Sequence, residues 1–441
     1  MSLRPFLGAM IVLLPSLTLA APSPLSIPDT AAGHALSAWL DAFNSGDSAR
    51  IQAFDEARAS WLTLDRAMGM RTRTGGYELL SIDRSDKLWI QFQAREKATS
   101  TAISGTLVVK PDDPAAISLL MLDPAGPDPD VVTLTAAQRD QVIKGAADRI
   151  ATFYLSSKLG QTMAAAIKTQ QKRGDYQNII DGNLLAARLT DELRAISHDK
   201  HLSVTFSWDV VSTDPTDTPD QSPDTDTGLK AHLQTNNCGF EKADHLTPNI
   251  GYLKLNQFAE PSICAPTATA AMAFLADSDA LIIDLRDNRG GAPRMAALIA
   301  SYLFAVPTHL DDSVDRQKKT TVQLWTDPYL PGRQFTDKPV YVLTSRKTFS
   351  SAELFSYDLK ALKRVTLVGE TTGGGAHVTG PHRLGDHFVI EVPFGGFVNP
   401  STGTDWEGTG VEPDVKVAAA DALDEALKRA REQTASGQSL R

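Results

Sequence analysis

The feature that most constrains the fold is a series of short, wholly apolar runs in the second half of the chain. Two of them are "ALIID" at residues 280–284 and "VYVLT" at residues 340–344, and each precedes a stretch with apolar residues at helical spacing. Such runs are typical of strands that are buried on both faces of a sheet, with helices packed on each side. The pattern predicts an α/β domain over residues 201–428, closed by antiparallel strands and a terminal amphipathic helix.

The rest of the chain divides into segments of different character. Residues 28–125 show helical spacing up to a turn at "NSGD" and then several strand-like stretches, which predicts an α+β domain that resembles the small NTF2-like domains. Residues 135–200 are rich in alanine with helical periodicity and predict a helical subdomain. Residues 211–230 are acidic, rich in proline and poor in apolar residues, which predicts a mobile loop, and residues 429–441 are predicted to be a disordered tail.

The N terminus has the layout of a secretory signal. "MSLRPFLGAMIVLLPSLTLAAPSP" carries one charge at Arg4, then an apolar stretch broken by Pro15, and then small residues around Ala21. Residues 1–21 are therefore predicted to be a removable signal peptide. This places the protein in the periplasm or outside the cell, without a membrane span in the mature chain.

Export would place the two cysteines of the chain, Cys238 and Cys264, in an oxidising compartment. They flank the strand-like stretch "GYLKLNQF", so a disulfide between them and a pair of buried free thiols are both open. Neither cysteine has the CxxC spacing of a metal or redox site.

Length and charge limit the classes of partner. With 441 residues the chain is long enough for two or three domains that each bury a core. A formal net charge of −10 argues against nucleic acid or an anionic membrane as a partner, because both would be repelled.

Two adjacent serines in "KTFSSAELFSYDLKAL" lie where a predicted strand gives way to a predicted helix. Ser350 and Glu353 have the spacing of a capping box, in which the serine only satisfies backbone N–H groups at the helix start. A hydroxyl at this point also faces the open end of the sheet, where backbone N–H groups and the helix dipole favour negative charge. The local pattern by itself favours the cap over a nucleophile.

A glycine pair after the strand "ALIID" favours the interpretation of Ser350 as a nucleophile over that of a helix cap. "DLRDNRGGAPRM" predicts a strand, a turn at Gly290 and Gly291, and a helix at the same edge of the sheet. The backbone N–H group of Gly290 or Gly291, together with that of Ser351, could form the pair of donors that an oxyanion requires. Phosphate binding is the weaker interpretation, because the glycine-rich phosphate motifs are absent from the sequence.

Four motifs in this order resemble peptidase family S41: "LIIDLRDNRGG", "VYVLTSRKTFSSAELF", "LVGETTGGGAHVTGPH" and "WEGTGVEPDVKV". The family includes tail-specific or carboxyl-terminal processing proteases, tricorn core proteases and the repeats of interphotoreceptor retinoid-binding protein. The resemblance extends from about Thr135 to about Ala426 and implies a serine-type peptidase with the α/β fold of that family, acting on peptides or proteins without a cofactor.

The resemblance also assigns roles to residues. It makes Ser350 the nucleophile, Ser351 a donor of its backbone N–H group only, and Gly375 the occupant of the position where processing proteases carry a catalytic lysine. Lys347 and Lys360 are near in sequence, but both suit positions that face solvent.

Without that lysine, the tricorn-like branch of the family offers the alternative, a Ser-His-Glu triad. The resemblance places His201 as its base and Glu407 as the residue that orients this base.

Other histidines leave alternatives open. His198, three residues before His201, is a second candidate for the base. His377, His382 and His387 are evenly spaced, but a five-residue interval fits neither one helix face nor the usual zinc spacings, so no metal is expected. His377, beside three glycines, could line the substrate cleft.

Two further expectations concern function. The interval between His201 and the α/β core has no room for a PDZ domain, so recognition of a free carboxyl terminus by such a domain is not expected. The second hypothesis is a non-catalytic protein on the same fold that binds a hydrophobic ligand, as the resemblance to the retinoid-binding-protein repeats suggests.

Overall fold

The computed structural model describes residues 26–59, 64–124, 134–207, 210–211, 230–231, 233–315 and 318–438. Their contacts separate into two compact units, residues 1–128 and 129–441. The predicted signal peptide and nearly all of the predicted acidic loop lie outside the described residues. Within those residues, no helix combines the length and the apolar composition needed to cross a bilayer.

The first unit contains three helices followed by a four-stranded antiparallel sheet in the order β1-β2-β3-β4. The helices and strands are α1 (Ala31–Ser45), α2 (Ser48–Arg58), α3 (Leu64–Thr74), β1 (Tyr77–Ser85), β2 (Trp89–Glu96), β3 (Ala102–Val109) and β4 (Ile117–Pro124). Helix α1 ends where Gly46 adopts the left-handed conformation at φ 68°, and Asp47 caps α2. The mixed α and β content was predicted, whereas the NTF2-like architecture stays a prediction.

The core of the first unit is aromatic. Trp39 of α1, 1% exposed, packs on Phe43, Tyr77 and Phe92 with ring centroids 5.5–6.3 Å apart. Since α1 presents Trp39 and Phe43 on one face, the helix and the sheet bury the same cluster.

The second unit begins with three helices and a short strand that carry one side of the site. These are α4 (Ala136–Phe153), α5 (Ser157–Arg173), α6 (Gly182–Ser197) and β5 (Ser203–Phe206). Thr135 and Gln138 form a capping box at the start of α4, and Asp181 caps α6. Helix α6 ends at His198 in the left-handed conformation, and the turn that follows carries His201 into β5.

A six-stranded sheet in the order β15-β12-β11-β8-β7-β6 forms the centre of the second unit. All neighbours in this sheet are parallel except β6 and β7. The two predicted apolar runs are its central strands, and all five residues of each are buried because helices cover both faces. The elements are β6 (Phe240–Leu246), β7 (Ile250–Leu255), α7 (Pro261–Leu275), β8 (Ala280–Asp284), α8 (Pro293–Ser301), β11 (Val340–Thr344), α9 (Ser351–Ala361), β12 (Thr366–Gly369) and β15 (Val415–Lys416).

A second, antiparallel sheet has the order β10-β9-β14-β13, with β5 also paired to β14. Its strands are β9 (His309–Asp315), β10 (Thr320–Trp325), β13 (His377–Arg383) and β14 (Phe388–Val398). Since β5 pairs with β14 and β14 pairs with β13, this sheet brings the His201 turn close to the segment around His377.

The prediction of a disordered tail from residue 429 is wrong. Helix α10 (Ala422–Gln438) continues through this segment, because Ala422, Ala426 and Ala430 recur at four-residue intervals and are fully buried against the central sheet. The structure also joins Cys238 to Cys264 in a disulfide, with Cα atoms 5.7 Å apart. This is the bonded one of the two arrangements that the sequence left open.

Candidate active site

Ser350 occupies an unusual backbone conformation at the turn from β11 into α9. Its φ is 54° and its ψ is −122°, a region that costs a non-glycine residue about 1–3 kcal/mol. Two bonds of Thr348 fix the turn, since its hydroxyl donates to Leu285 O at 2.8 Å and accepts from Ser345 N at 2.9 Å. Neighbouring strands thus impose a conformation that sequence propensity would not select.

Glu353 anchors this turn to the glycine-rich segment after β12. Its carboxylate is fully buried and accepts the N–H groups of Ser350 at 2.9 Å, Gly374 at 2.6 Å and Gly375 at 2.8 Å, together with the Thr372 hydroxyl. Burial raises the pKa of Glu353, and these four donors oppose the rise. The bond from the Ser350 N–H group to Glu353 is the reciprocal bond of a capping box, so Glu353 holds the Ser350 turn at the start of α9.

The glycine pair lies directly against the two serines. A Cβ on Gly290 would approach Ser350 Cβ to 2.7 Å and Ser351 N to 2.9 Å, so only glycine fits there at φ 100°. The N–H group of Gly290 donates to Asn288 Oδ1 at 2.8 Å. Among the described residues, the N–H groups of Gly291 and Ser351 have no hydrogen-bond partner, whereas Ser351 Oγ donates to Gly291 O at 2.7 Å.

His201 lies beside the nucleophile candidate. Its ring packs against Phe349, with centroids 4.6 Å apart, and its two ring nitrogens are buried without a hydrogen-bond partner among the described residues. Burial lowers the pKa of His201 to about 4, against the raising effect of the Asp199 charge. The ring is therefore neutral at pH 7, and no group in the described part of the chain hydrogen-bonds to its nitrogens.

A second histidine, His377 at the start of β13, is held by carboxylates instead. Its Nδ1 lies 2.7 Å from Asp199 Oδ2 and 3.7 Å from Glu407 Oε2. Asp199 is 1% exposed and also accepts the Tyr154 hydroxyl at 3.1 Å and the His201 N–H group at 3.0 Å. One buried carboxylate therefore contacts both histidine-bearing segments.

Comparison with known proteins identifies the family. Residues 249–417 match the model of peptidase family S41, and residues 129–237 match the model of the N-terminal domain of that family in eukaryotic IRBP. The chain belongs to peptidase family S41. The first match contains Ser350, Gly291 and Glu407, and the second contains His201.

The relatives of this S41 chain include processing and tricorn proteases. It is 28% identical over 185 residues to carboxyl-terminal-processing peptidase 1 of Arabidopsis thaliana, covering 40% of this chain and 35% of the relative. It is 28% identical over 171 residues to the tricorn protease of Thermoplasma volcanium, covering 38% of this chain and 14% of the relative. The chain thus spans about a third or less of the length of these relatives.

Among solved structures, this S41 chain is similar to the photosystem II D1 C-terminal processing protease. The TM-score is 0.40 at 16% identity, and the match covers 65% of this chain and 94% of that chain.

The position of the family's lysine is closed in this S41 chain. A Cβ on Gly375 would lie 2.3 Å from Phe349 Cζ and 2.7 Å from His201 Cε1. The two rings therefore take up the space into which a side chain at residue 375 would extend.

The expected triad is only partly assembled in this S41 chain. His201 lies beside the residue that precedes Ser350, but Glu407 makes no hydrogen bond to His201 and is instead near His377. The Ala376 N–H group, at 2.6 Å, fixes the Glu407 carboxylate on that side.

The remaining histidines of this S41 chain are separated by the fold. His198 forms the C-terminal cap of α6, His382 stacks on Phe153 with centroids 4.3 Å apart, and His387 is bonded to Ser207 O at 3.1 Å. Hence His377, His382 and His387 do not converge on one metal.

Asp199 and the bridging position of His377 were missed by the sequence argument. Asp199 stands two residues before His201 in "HDKH", but nothing in that spacing pairs it with residue 377. Among the described residues, the only His/Cys/Asp/Glu group with the proximity for a metal is Asp199, His377 and Glu407, whose nearest atoms lie within 4.8 Å of one another. Each of the three already forms a hydrogen bond within the protein.

Proposed function

We propose that the chain is an exported serine peptidase that cleaves peptide bonds through an acyl-enzyme intermediate. Ser350 is the nucleophile, His201 is the base, Glu407 is the orienting carboxylate, and the N–H groups of Ser351 and Gly291 bind the oxyanion. One observation carries the proposal: Ser350 is held in a strained conformation against Gly290, next to the N–H groups of Gly291 and Ser351, which have no hydrogen-bond partner among the described residues. Its substrates are peptides or proteins, and no cofactor is needed.

The chemistry follows from these positions. Ser350 Oγ attacks the carbonyl carbon of the scissile bond while its proton passes to an imidazole nitrogen of His201. The carbonyl oxygen becomes an oxyanion that the two backbone N–H groups stabilise. The carbon–nitrogen bond then breaks, and the proton on His201 passes to the leaving amine. Water repeats the sequence on the ester and releases the acid and Ser350.

The protonation state of His201 suits the transfer of a proton from Ser350. Since burial lowers its pKa to about 4, the ring is in the neutral, proton-accepting form at pH 7. The negative charge of Asp199 opposes the effect of burial and favours the imidazolium that forms when His201 takes up the proton. Glu407 adds a second carboxylate to this side of the site, next to His377.

Export is part of the proposal. The disulfide between Cys238 and Cys264 is typical of proteins that fold in an oxidising compartment. Purification of the mature protein from the host periplasm, with sequencing of its first residues, tests this. A mature chain that begins near Ala21 is expected, and retention of residues 1–21 in the cytoplasm would argue against export.

Labelling with a fluorophosphonate probe tests the nucleophile. Wild type is expected to be labelled on Ser350, and Ser350→Ala and His201→Ala are expected to reduce the rate at least about 1,000-fold. Ser351→Ala is the matched control, because its hydroxyl contacts only Gly291 O and its N–H group is retained. Mass spectrometry of the labelled peptide identifies the modified serine.

Two results would contradict different parts of the proposal: the peptidase function, or the choice of Ser350 as the nucleophile. A folded wild type that takes up no label would contradict the peptidase function and favour the ligand-binding hypothesis. Label that survives Ser350→Ala but disappears in Ser351→Ala would leave the peptidase class in place and overturn the residue assignment.

The hypothesis of a hydrophobic-ligand-binding protein has no specific observation in its favour. A cleft of about 740 Å³ between α4 and the end of β13 has five charged residues in its lining, which are Lys144, Asp148, Arg149, Arg383 and Asp386. Such a lining suits an apolar ligand poorly, since the charges would lose hydration.

A further inference from the structure

The two histidines of the site differ in what holds them. The His201 ring has no hydrogen bond to any residue that the structure describes, whereas His377 lies between the carboxylates of Asp199 and Glu407, at 2.7 and 3.7 Å. The His377 side chain is 16% exposed, and Asp199 is 1% exposed. An ion pair this deeply buried is costly unless its groups are well bonded, and here each carboxylate also receives a backbone N–H group.

The segment around His377 connects three parts of the site. The Gly375 N–H group donates to Glu353, which holds the Ser350 turn, and the Ala376 N–H group donates to Glu407. The next residue, His377, donates from its ring to Asp199. Three consecutive residues thus contact the anchor of the nucleophile, the orienting carboxylate and the carboxylate of the His201 turn.

Asp199 contacts both the His377 ring and the backbone of His201, the proposed base. Its Oδ1 accepts the N–H group of His201 itself at 3.0 Å, while its Oδ2 faces His377. Arg194 supports the same turn by donating to Lys200 O at 2.6 Å and Leu202 O at 2.7 Å. Rotation of Asp199 toward solvent would therefore release the backbone of His201 as well as the His377 ring.

We propose that His377 is a positioning residue of the peptidase site, whose protonated ring bridges Asp199 and Glu407 and thereby fixes the turn that places His201 beside Ser350. The inference rests on the proposed function and adds a residue that touches neither the scissile bond nor the nucleophile. It also assigns a role to the placement of Glu407, which acts on His201 through His377 and Asp199.

The negative charges around His377 favour the protonated form of its ring. Burial alone would lower the pKa of His377, but the hydrogen bond and charge of Asp199 and the charges of Glu407 and Asp405 outweigh it, so the pKa lies above its ordinary value. Burial alone would raise the pKa of Asp199, but the bond and charge of His377 bring it below its ordinary value. Both shifts describe an imidazolium paired with a carboxylate.

Arg194 is also a cation whose charge acts on Asp199, but its guanidinium donates to Lys200 O and Leu202 O and not to that carboxylate. Tyr154, from the end of α4, donates its hydroxyl to Asp199, and both burial and that carboxylate raise the pKa of the phenol. His201, from the turn after α6, is neutral above about pH 4. Burial raises the pKa of Glu407, and the positive charge of His377 opposes the rise.

The pH dependence follows with a defined sign. A histidine whose folded pKa is raised stabilises the fold below the unfolded pKa of 6.5, and this contribution is lost as pH rises through the folded pKa. The bridge is therefore complete below pH 6.5 and opens as pH rises through the folded pKa of His377. Activity that depends on the bridge should decline there, while His201 stays neutral throughout.

The test measures the rate of Ser350 labelling by the fluorophosphonate probe from pH 5 to 10 in full-length variants. His377→Ala is expected to lower the rate about 10- to 100-fold at pH 7, since the His201 turn loses its anchor. His377→Asn keeps a donor near the position of Nδ1 but cannot titrate, so it should recover most of the rate and lose the alkaline decline of wild type. His387→Asn, a matched substitution outside the site, should label like wild type over the whole range.

A second measurement does not depend on the reaction. In the inactive Ser350→Ala protein, NMR of ring-labelled histidine should show His377 titrating above 6.5, and Asp199→Asn should shift that midpoint downward. Thermal melts of every variant establish that the protein is folded before rates are compared.

Different results would contradict the positioning role, the proton bridge or the proposed function. If folded His377→Ala labels at the wild-type rate, or if His377→Asn recovers nothing, the positioning role is overturned. A His377 midpoint below 6.5 in the Ser350→Ala protein would likewise overturn the bridge. If dialysis of wild type against EDTA reduced labelling and zinc restored it, the three side chains would be metal ligands and the proton bridge would be wrong. Absence of label on wild-type Ser350 instead counts against the proposed function, and the NMR titration then still decides whether the bridge exists.

Discussion

The serine side and the histidine side of the site are stabilised in opposite ways. On the serine side, the buried Glu353 carboxylate accepts four hydrogen bonds and joins the Ser350 turn to the glycine segment. On the histidine side, His201 buries two ring nitrogens with no partner among the described residues. A saturated buried group stabilises one geometry, whereas an unsatisfied one costs about 1–3 kcal/mol and is typical of groups that await a substrate.

The largest effect on stability is expected on the serine side. Glu353→Ala leaves the N–H groups of Ser350, Gly374 and Gly375 buried without an acceptor, so the free energy of unfolding should fall by about 3–5 kcal/mol. Chemical denaturation measures it. Glu412→Ala is the control, because that side chain is 64% exposed and solvent screens its ion pair, so this variant should unfold like wild type. Similar losses in both variants would contradict the comparison.

On the histidine side, a change of pH is expected to have a smaller effect on the free energy of unfolding. His201 has a folded pKa of about 4 against an unfolded value of 6.5, so the unfolded state takes up its proton first as pH falls. Stability present above pH 6.5 should therefore be lost between pH 6.5 and 4, by about 3 kcal/mol in full.

Comparison of wild type with His201→Phe, in denaturation series at several pH values, isolates this contribution. The phenyl ring keeps the contact with Phe349 and removes the unsatisfied nitrogens, so this variant should lose activity yet be more stable than wild type by about 1 kcal/mol at pH 5. An equally steep loss of stability in the variant would show that His201 does not cause it.

The smallest effect on stability is expected from placing a lysine at residue 375, where processing proteases of the family carry one. Gly375→Lys should not restore labelling to the His201→Ala protein, because its Cβ would meet the Phe349 ring at 2.3 Å. The substitution should also lower the free energy of unfolding by about 1–3 kcal/mol. Gly69→Lys, at a glycine with open space around it and an ordinary backbone conformation, controls for the added charge. Recovery of Ser350 labelling in the double variant would show that the site can still accommodate a Ser-Lys dyad.

Much of the fold and part of the site could be predicted from the sequence. The runs at residues 280–284 and 340–344 predicted buried parallel strands, because an uninterrupted apolar run needs cover on both faces. The interruption at "NSGD" predicted the end of α1, because Gly46 tolerates a left-handed conformation. The tail after residue 428 was mispredicted because its polar composition hid three alanines that pack on the sheet.

The amino-acid sequence alone supplies the chemical groups and their order: the serine pair, the glycine turn, a glycine at residue 375 in place of a lysine, and the family that these motifs indicate. Which of these groups contact one another depends on the fold. The pairing of Asp199 with His377 spans 178 residues and depends on β5 and β13 both flanking β14. A local pattern cannot encode such a contact, because strand pairing brings distant segments together and burial then fixes the charge of each group.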